Sequence, residues 1–245
     1  MEHYKYFQNK ECEYFPCHSE ADPSCFSCLF CYCPLYHMDC PGDFEMTEKN
    51  GHYTLKTATL NDSFYAVRDN LECFSLASYF ADVAGTVCSE NNDEKEMLRL
   101  ILNCLYAMSR YRDIPLWRIK AAFELKCMQA NGLTPDFNFC SECGKAAADS
   151  TDKNGMYLFS PEEGTPLCPE CLKGREKGNI IPISTFTIDA AQYILSSPQS
   201  RMLKFYLPEE KDIKREFSVF CERYLCCQTG RRYETLAFYK TVCNM

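Results

Sequence analysis

The chain has 245 residues, of which 46% are hydrophobic, so it is long enough to bury a substantial core in one domain or two. Its 34 acidic residues outnumber its 26 basic ones, and the net charge of -8 excludes a positive field over the whole molecule that attracts nucleic acid. No secretory signal sequence opens the chain and no stretch approaches the roughly 20 apolar residues of a membrane span, so we predict a cytoplasmic protein with no membrane partner, whose 19 cysteines are reduced or bind metal.

Residues 1–41 form a cysteine-rich segment that is too small to fold on a hydrophobic core alone. Its spacing, C-x4-C-H-x6-C-x2-C-x2-C-x-C-x6-C, offers more ligands than one tetrahedral ion uses. One zinc ion, two ions that share sulfurs and an iron–sulfur cluster therefore all remain open, with small buried cysteines as the alternative. The candidate ligands are Cys12, Cys17, His18, Cys25, Cys28, Cys31, Cys33 and Cys40.

Residues 42–60 alternate between apolar and polar side chains around a Lys49-Asn50-Gly51 turn, which predicts a β-hairpin. From Asn61, a plausible N-cap, the period changes to that of a helix that continues to about Cys88. The side chains predicted for its buried face are Phe64, Val67, Leu71, Phe74, Ala77 and Phe80.

Further helices follow along the chain. Asp93 is placed to cap one of them, and another runs from about Pro115 to Ala130, where Asn131-Gly132 supplies a stop. Residues 189–196, 209–228 and 231–242 also have helical patterns. We therefore predict a mainly α protein with a helical domain formed by residues 61–136 and 175–245.

Two Cys-x2-Cys pairs, Cys140/Cys143 and Cys168/Cys171, lie in an insertion of this helical domain, residues 137–174. Two residues between cysteines let one tight turn present both sulfurs to a metal, and two such turns complete a tetrahedron. The 24 residues between the pairs are enough for a short hairpin. The spacing predicts a structural zinc ribbon, and free cysteines or a redox dithiol are the alternatives.

Three stretches carry a resemblance to a known family: LNDSFYAVRDNLECFSLASYFADVA, AAFELKCMQANGLTPDFNFCSECG and YLFSPEEGTPLCPEC. In this order and spacing they resemble the bacterial DNA repair protein family RecO over about residues 43–245. The resemblance implies a recombination mediator with an OB barrel, a helical domain and a zinc finger. It also implies binding to DNA, RecR and the tail of single-strand-binding protein, annealing of complementary strands, loading of RecA and a nucleoid association.

The chain departs from this family at its N-terminal end. Most of the OB barrel has no counterpart, and only the hairpin of residues 42–60 is similar to its last strands. We therefore expect the DNA-binding residues of the family's barrel to be missing here. In their place, NKECEYFPCHSEADPSCFSCLFCYCPLYHMDC is similar to the cysteine-rich small domain, a metal-binding module of unknown activity.

Candidate phosphate contacts lie near the C-terminus, where residues 201–245 hold 9 basic and 6 acidic side chains, a balance of +3. Arg231, Arg232 and Lys240 are the candidates, because guanidinium groups pair well with phosphate. A solvated helix face explains the same residues equally well.

Two functions from different classes remain open. One is a RecO-like mediator without enzymatic turnover, and the other is a metal- or thiol-handling protein whose chemistry lies in residues 1–41. No glycine-rich phosphate loop or paired-carboxylate site favours an enzyme. No histidine follows His52, so a Cys-His dyad cannot form within the helical domain, and its scattered cysteines are predicted to be small buried side chains.

Overall fold

The computed structural model of the protein describes residues 44–49, 52–58, 64–89, 92–147, 151–173 and 179–244. The cysteine-rich segment 1–41 and the predicted cap Asn61 lie outside these ranges. Helices dominate the described part. The helices are α1 Tyr65–Arg68, α2 Leu71–Val87, α3 Lys95–Arg110, α4 Leu116–Ala130, α5 Pro169–Leu172, α6 Thr185–Ser196, α7 Lys211–Gln228 and α8 Glu234–Val242, with a 3-10 helix at Gln199–Lys204.

The predicted hairpin is confirmed. Strands β1 (Phe44–Lys49) and β2 (His52–Ala58) pair antiparallel, with Lys49 opposite His52 at the turn. The register shifts between Glu45 and Met46, as in a β-bulge, so the two strands differ in length by one residue.

The prediction of a single helix from Asn61 to about Cys88 is wrong. The chain instead forms two helices, α1 and α2, which are separated by Asp69 and Asn70. Asn70 has an extended backbone, and its side chain accepts a hydrogen bond from the Cys73 N–H at 2.9 Å. An N-cap of this kind starts a new helix with its own axis, so the buried face of α2 does not continue the pattern predicted for one long helix. Leu71 and Phe74, predicted to be buried, are consequently 59% and 49% exposed. The buried residues of α2 are instead Cys73, Ser75, Leu76, Tyr79, Phe80 and Val83.

The other helix predictions differ from the structure mainly at their ends. Asp93 accepts a hydrogen bond from the Lys95 N–H at 3.3 Å at the start of α3, and α4 ends where Asn131 and Gly132 (φ 75°) were predicted to stop it. Helix α6 begins four residues before Asp189, because Ser184 caps it by accepting from the Thr187 N–H.

Helix α4 lies at the centre of the fold and is buried along ten consecutive positions, from Ile119 to Met128. It packs against α2, α3, α6 and α7, so its whole circumference is covered by other helices. Helix α8, near the C-terminus, packs against α2. Within the described ranges, no helix combines the length and the apolar character that crossing a bilayer requires.

A three-stranded antiparallel sheet joins the insertion to this helical body. Strands β3 (Tyr157–Ser160) and β4 (Thr165–Leu167) form the predicted hairpin of the insertion. Strand β5 (Ile181–Ile183), which follows the insertion, pairs with the other edge of β3. Because Phe159 on β3 is fully buried in the main core, the hairpin is anchored in the body at this point.

Candidate metal centre

Four cysteine sulfurs converge at the outer end of the insertion. The Sγ atoms of Cys140, Cys143, Cys168 and Cys171 all lie within 4.8 Å of one another. The Cys143 and Cys168 sulfurs are 3.7 Å apart. Four thiolates placed tetrahedrally about 2.3 Å from one ion have S–S edges of about 3.8 Å. The four side chains predicted as ligands therefore form a cluster that fits a tetrahedral metal ion.

The first cysteine turn is closed by backbone hydrogen bonds. The Cys140 N–H donates to the Lys145 carbonyl at 2.8 Å, and the Gly144 N–H donates to the Cys140 carbonyl at 3.0 Å. Gly144 has φ 69°, a left-handed conformation that a side chain would strain. Glycine at this position lets the chain reverse directly after Cys143, so that both sulfurs of the pair face the same point.

The second cysteine turn is the start of a short helix. Cys168 is the N-cap of α5, and its sulfur accepts a hydrogen bond from the Cys171 N–H at 3.4 Å. Pro169 follows at the first helical position, where its missing N–H costs nothing. The Cys168 N–H donates to the Cys140 sulfur at 3.3 Å, which links the two turns.

The local field favours ionised sulfur at Cys140. Burial raises the pKa of this thiol, but hydrogen bonds from the backbone at Cys143, Cys168 and Glu142 outweigh it and lower the pKa to about 6. Hydrogen bonds with the Cys168 and Cys143 thiols raise the pKa of Cys171 to about 12. Four ionised sulfurs at these separations would repel one another, so the cluster could hold a cation, and a bound cation would favour the thiolate form.

Charged side chains bridge the two turns on the outside. Lys145 beside the first pair contacts Glu170 in the second at 2.6 Å, and Ser141 donates a hydrogen bond to Glu163. The lysine and Glu170 are both more than half exposed, so this ion pair orients the turns more than it stabilises them.

The inner end of the insertion is held by aromatic packing against α7. The ring of Phe159 lies 5.1 Å from that of Phe220 and 5.8 Å from that of Tyr224. The Tyr224 hydroxyl donates to the Leu133 carbonyl at 3.0 Å, in the link between α4 and the first cysteine turn. The metal centre therefore lies at the outer end of a hairpin whose inner end is part of the main core.

Sequence reasoning missed a buried charged network in the body. The Lys120 ammonium lies 2.9 Å from a Glu124 oxygen and 3.2 Å from Glu222, and the Tyr79 hydroxyl donates to Glu124 at 2.9 Å. Burial raises the pKa of Glu124 to about 6 despite Lys120. The sequence contains one signal for this network. Lys120 and Glu124 lie four residues apart in an otherwise apolar stretch of helix, a spacing that lets their charges pair.

The three candidate phosphate contacts lie around α8 but do not form one group of unpaired cations. Arg231 pairs with Asp82 at 3.0 Å and donates to the Thr86 hydroxyl at 2.8 Å. Lys240 forms an ion pair with Glu222, at the edge of the buried network. Arg232 is exposed. Their role in binding DNA stays a prediction.

Half of the eight scattered cysteines of the helical domain are buried, whereas the sequence predicts burial for most of them. Cys73, Cys104, Cys127 and Cys221 are buried, and the half-buried ones are Cys88, Cys226, Cys227 and Cys243. Burial raises the pKa of the Cys104 and Cys127 thiols, so both stay protonated at neutral pH. In the described part of the chain, the cluster at Cys140 is the one group of metal-ligating side chains.

Two family models match the chain. Residues 68–237 match the model described as recombination protein O C terminal, and residues 3–59 match the cysteine-rich small domain. The second match extends past Cys40 through β1 and β2, so it is not limited to the first 41 residues and includes the hairpin.

Curated relatives agree with the first of these models. The DNA repair protein RecO of Acetivibrio thermocellus is 30% identical over 203 residues, which are 83% of this chain and 76% of the relative. The RecO of Alkaliphilus metalliredigens is 28% identical over 187 residues, 74% of this chain and 72% of the relative. With a matching family model over more than half of its length, this chain belongs to the RecO family of DNA repair proteins.

Proposed function

We propose that the protein is a recombination mediator of the RecF pathway that acts without catalytic turnover. It binds DNA, single-strand-binding protein and RecR, promotes annealing of complementary strands and supports RecA loading at the nucleoid. The observation that carries this proposal is the family match over residues 68–237, which includes most of the helical body and the whole insertion. A mediator acts by bringing partners together, and a helical body with a rigid inserted finger suits that task.

We propose zinc as the metal at the four cysteines. Thiolate ligands in a tetrahedral arrangement suit zinc, and the 3.7 Å sulfur separation agrees with its bond length. Four protein ligands leave no open position for a substrate or water, so the ion would fold the outer end of the insertion. Cys140 and Cys168 would hold it from the buried side, and Cys143 and Cys171 from the exposed side.

The proposed domains keep their predicted bounds. They are a cysteine-rich segment of residues 1–41, a hairpin of residues 42–60, a helical domain of residues 61–136 and 175–245, and the insertion of residues 137–174. The eight candidate ligands of a second metal site all lie in the first segment, outside the described residues.

The proposal is tested by fluorescence-anisotropy titration of the metal-loaded protein with labelled single-stranded DNA at low and moderate salt. A peptide of the single-strand-binding protein tail and purified RecR are titrated separately. We expect salt-dependent DNA binding, and Arg231→Ala/Arg232→Ala should reduce the salt slope on a single strand by about 0.7 for each phosphate that is no longer neutralised.

Asp82→Asn is the matched control, because it breaks the ion pair of Arg231 and leaves both guanidinium groups in place. It should bind DNA at least as well as the wild type. Failure of the wild-type protein to bind DNA, the tail peptide and RecR would contradict the proposed function.

A second candidate function is metal or thiol handling by the N-terminal segment, favoured by the match of residues 3–59 to the cysteine-rich small domain. It predicts metal-dependent redox activity that Arg231→Ala/Arg232→Ala leaves unchanged. Redox assays of the metal-loaded wild type, the metal-free wild type and this variant test the second candidate, because a mediator without turnover should show no such activity.

A further inference from the structure

A shallow groove of about 410 Å³ lies on the body, away from the residues considered so far. Phe186, Asp189, Tyr193 and Tyr206 line it. The three aromatic side chains are 45%, 37% and 76% exposed. Large aromatic side chains grouped at a surface without a covering element are typical of a binding site.

The fold points these aromatic rings outward. Phe186, Asp189 and Tyr193 are spaced three and four residues apart on α6 and therefore share a face, while Ile188 and Ile194 are buried behind them. Tyr206 follows the 3-10 helix, between two buried residues, Phe205 and Leu207. The backbone is extended there, so successive side chains alternate and Tyr206 must face the solvent.

Arg118 fixes the base of this platform. Both of its terminal nitrogens donate to the Phe205 carbonyl at 2.9 Å, and its guanidinium lies 4.0 Å from the centre of the Phe205 ring. The peptide bond that leads into Tyr206 is therefore held from inside the body. Tyrosine has only two side-chain torsions, so Tyr206 on this anchored backbone loses little conformational entropy when a flat ligand stacks on its ring.

The segment beside the groove is basic in an otherwise acidic protein. Residues 199–215 hold five basic and three acidic side chains, a balance of +2 against -8 for the whole chain. Arg201 and Lys204 are exposed on the 3-10 helix, which packs against α6. Because the 3-10 helix contacts the helix that carries Phe186 and Tyr193, these two cations are candidates for contacts with a phosphate chain that passes the groove.

We propose that this groove binds single-stranded nucleic acid. Bases stack on Tyr206 and Tyr193, and Arg201 and Lys204 contact the phosphates. The inference rests on the proposed function and adds to it a site in the helical body. The exposed faces of Tyr193 and Tyr206 favour stacked bases as the occupant, because the Asp189 carboxylate repels an acidic peptide and phosphates alike and therefore does not discriminate between them.

The test uses the full-length, metal-loaded protein and a labelled thymidine 20-mer in an anisotropy titration at low salt. Tyr193→Ala/Tyr206→Ala should weaken binding about tenfold or more, because both stacking surfaces are removed. Tyr206→Phe keeps a stacking surface and should bind within about twofold of the wild type. The matched control is Tyr106→Ala/Tyr111→Ala, which removes two half-exposed tyrosines from a different surface and should leave affinity unchanged.

Two further variants separate the proposed interactions from effects on folding. Asp189→Asn removes the repelling charge and should tighten binding about threefold, a gain that misfolding cannot produce. Arg201→Gln/Lys204→Gln should reduce the salt slope by about 1.4, or 0.7 for each phosphate contact on a single strand.

The possible outcomes show whether the proposed site in the groove fails alone or together with the proposed DNA binding. Wild-type binding that Tyr193→Ala/Tyr206→Ala leaves intact overturns this site and leaves the proposed function standing. A wild-type protein that does not bind the 20-mer overturns DNA binding and the site together. An acidic peptide that displaces the 20-mer, and that binds less well to Tyr193→Ala/Tyr206→Ala, assigns the groove to a protein tail and overturns the inference.

Discussion

The helical body and the outer end of the insertion are stabilised by different physical effects. In the body, α4 is covered on all sides, and the core extends through every long helix. The cluster at the outer end contains three buried residues, Cys140, Leu167 and Cys168. So small a cluster cannot offset the entropy of ordering two turns and a hairpin. The same chain therefore relies on burial in one region, whereas the proposed metal ion would order the other.

The junction between the two regions shows how they are coupled. Phe159 belongs to the body's core although it lies on a strand of the insertion. Gly164, in the turn of the same hairpin, accepts a hydrogen bond from the Asp136 N–H at 2.9 Å. The inner half of the insertion therefore shares the stability of the body, and the boundary between this part and the part that the proposed metal ion would order lies within the hairpin.

Removal of the proposed metal ion should have the largest effect on local stability, and that effect should be confined to the outer end of the insertion. Chelation or Cys168→Ser removes binding free energy that is about 10–16 kcal/mol for structural zinc sites. We expect hydrogen exchange to become at least about a hundredfold faster at residues 140–147 and 165–172, with little change in α4. Exchange followed by mass spectrometry measures both regions in one experiment.

Cys226→Ser serves as the control for this prediction, since Cys226 is half-buried on α7 and remote from the cluster. Metal analysis should find one ion fewer per chain in Cys168→Ser and no change in Cys226→Ser. If chelation accelerated hydrogen exchange equally in α4 and in the outer end of the insertion, the division into two separately stabilised regions would be wrong.

Breaking the buried network should destabilise the body without affecting the metal. Lys120→Met leaves the Glu124 and Glu222 carboxylates without their shared cation and should cost about 3–5 kcal/mol at neutral pH. Arg99→Met removes an exposed pair with Glu96 and should cost less than about 1 kcal/mol. Urea unfolding of both variants, together with metal analysis, tests this difference.

The free energy of unfolding of the helical body should depend on pH through the titration of Glu124. Its pKa is raised to about 6 in the folded state, above its value in the unfolded chain, so the native state binds more protons between these two values. Stability contributed by the protonated carboxyl is therefore lost as pH rises from about 4.5 to 6.5, by about 2 kcal/mol in total.

Glu124→Gln cannot titrate and should lack this loss. The measurement is the difference in unfolding free energy between wild type and Glu124→Gln across that pH range, which cancels the titration of the metal ligands. A difference that does not change with pH would show that Glu124 keeps an ordinary pKa.

The smallest expected effect concerns the junction. Gly164 has φ 70°, and a Cβ there would lie 3.0 Å from the Tyr224 hydroxyl oxygen. Gly164→Ala should cost about 2 kcal/mol, because it adds displacement of the tyrosine's hydrogen bond to backbone strain. Gly155→Ala, with φ 74° and open space around it, should cost about 1 kcal/mol. Equal costs in urea unfolding would mean that the contact with Tyr224 contributes nothing.

Sequence patterns predicted the parts of this protein that local chemistry determines. Short-range spacing and turn chemistry predict the two Cys-x2-Cys turns, the antiparallel pairing of β1 with β2 and the end of α4 at Asn131-Gly132. The family resemblance was also carried by contiguous motifs. These features are readable because each depends on residues within a few positions of one another.

Tertiary structure alone decided which side chains of these elements are buried and which meet. The break at Asn70 turned Leu71 and Phe74 outward, and packing brought Lys120 together with Glu222 from a helix about a hundred residues later. It also paired Arg231 with Asp82 and placed Tyr206 beside Tyr193. Such contacts depend on the relative positions of whole helices, which short-range periodicity does not contain.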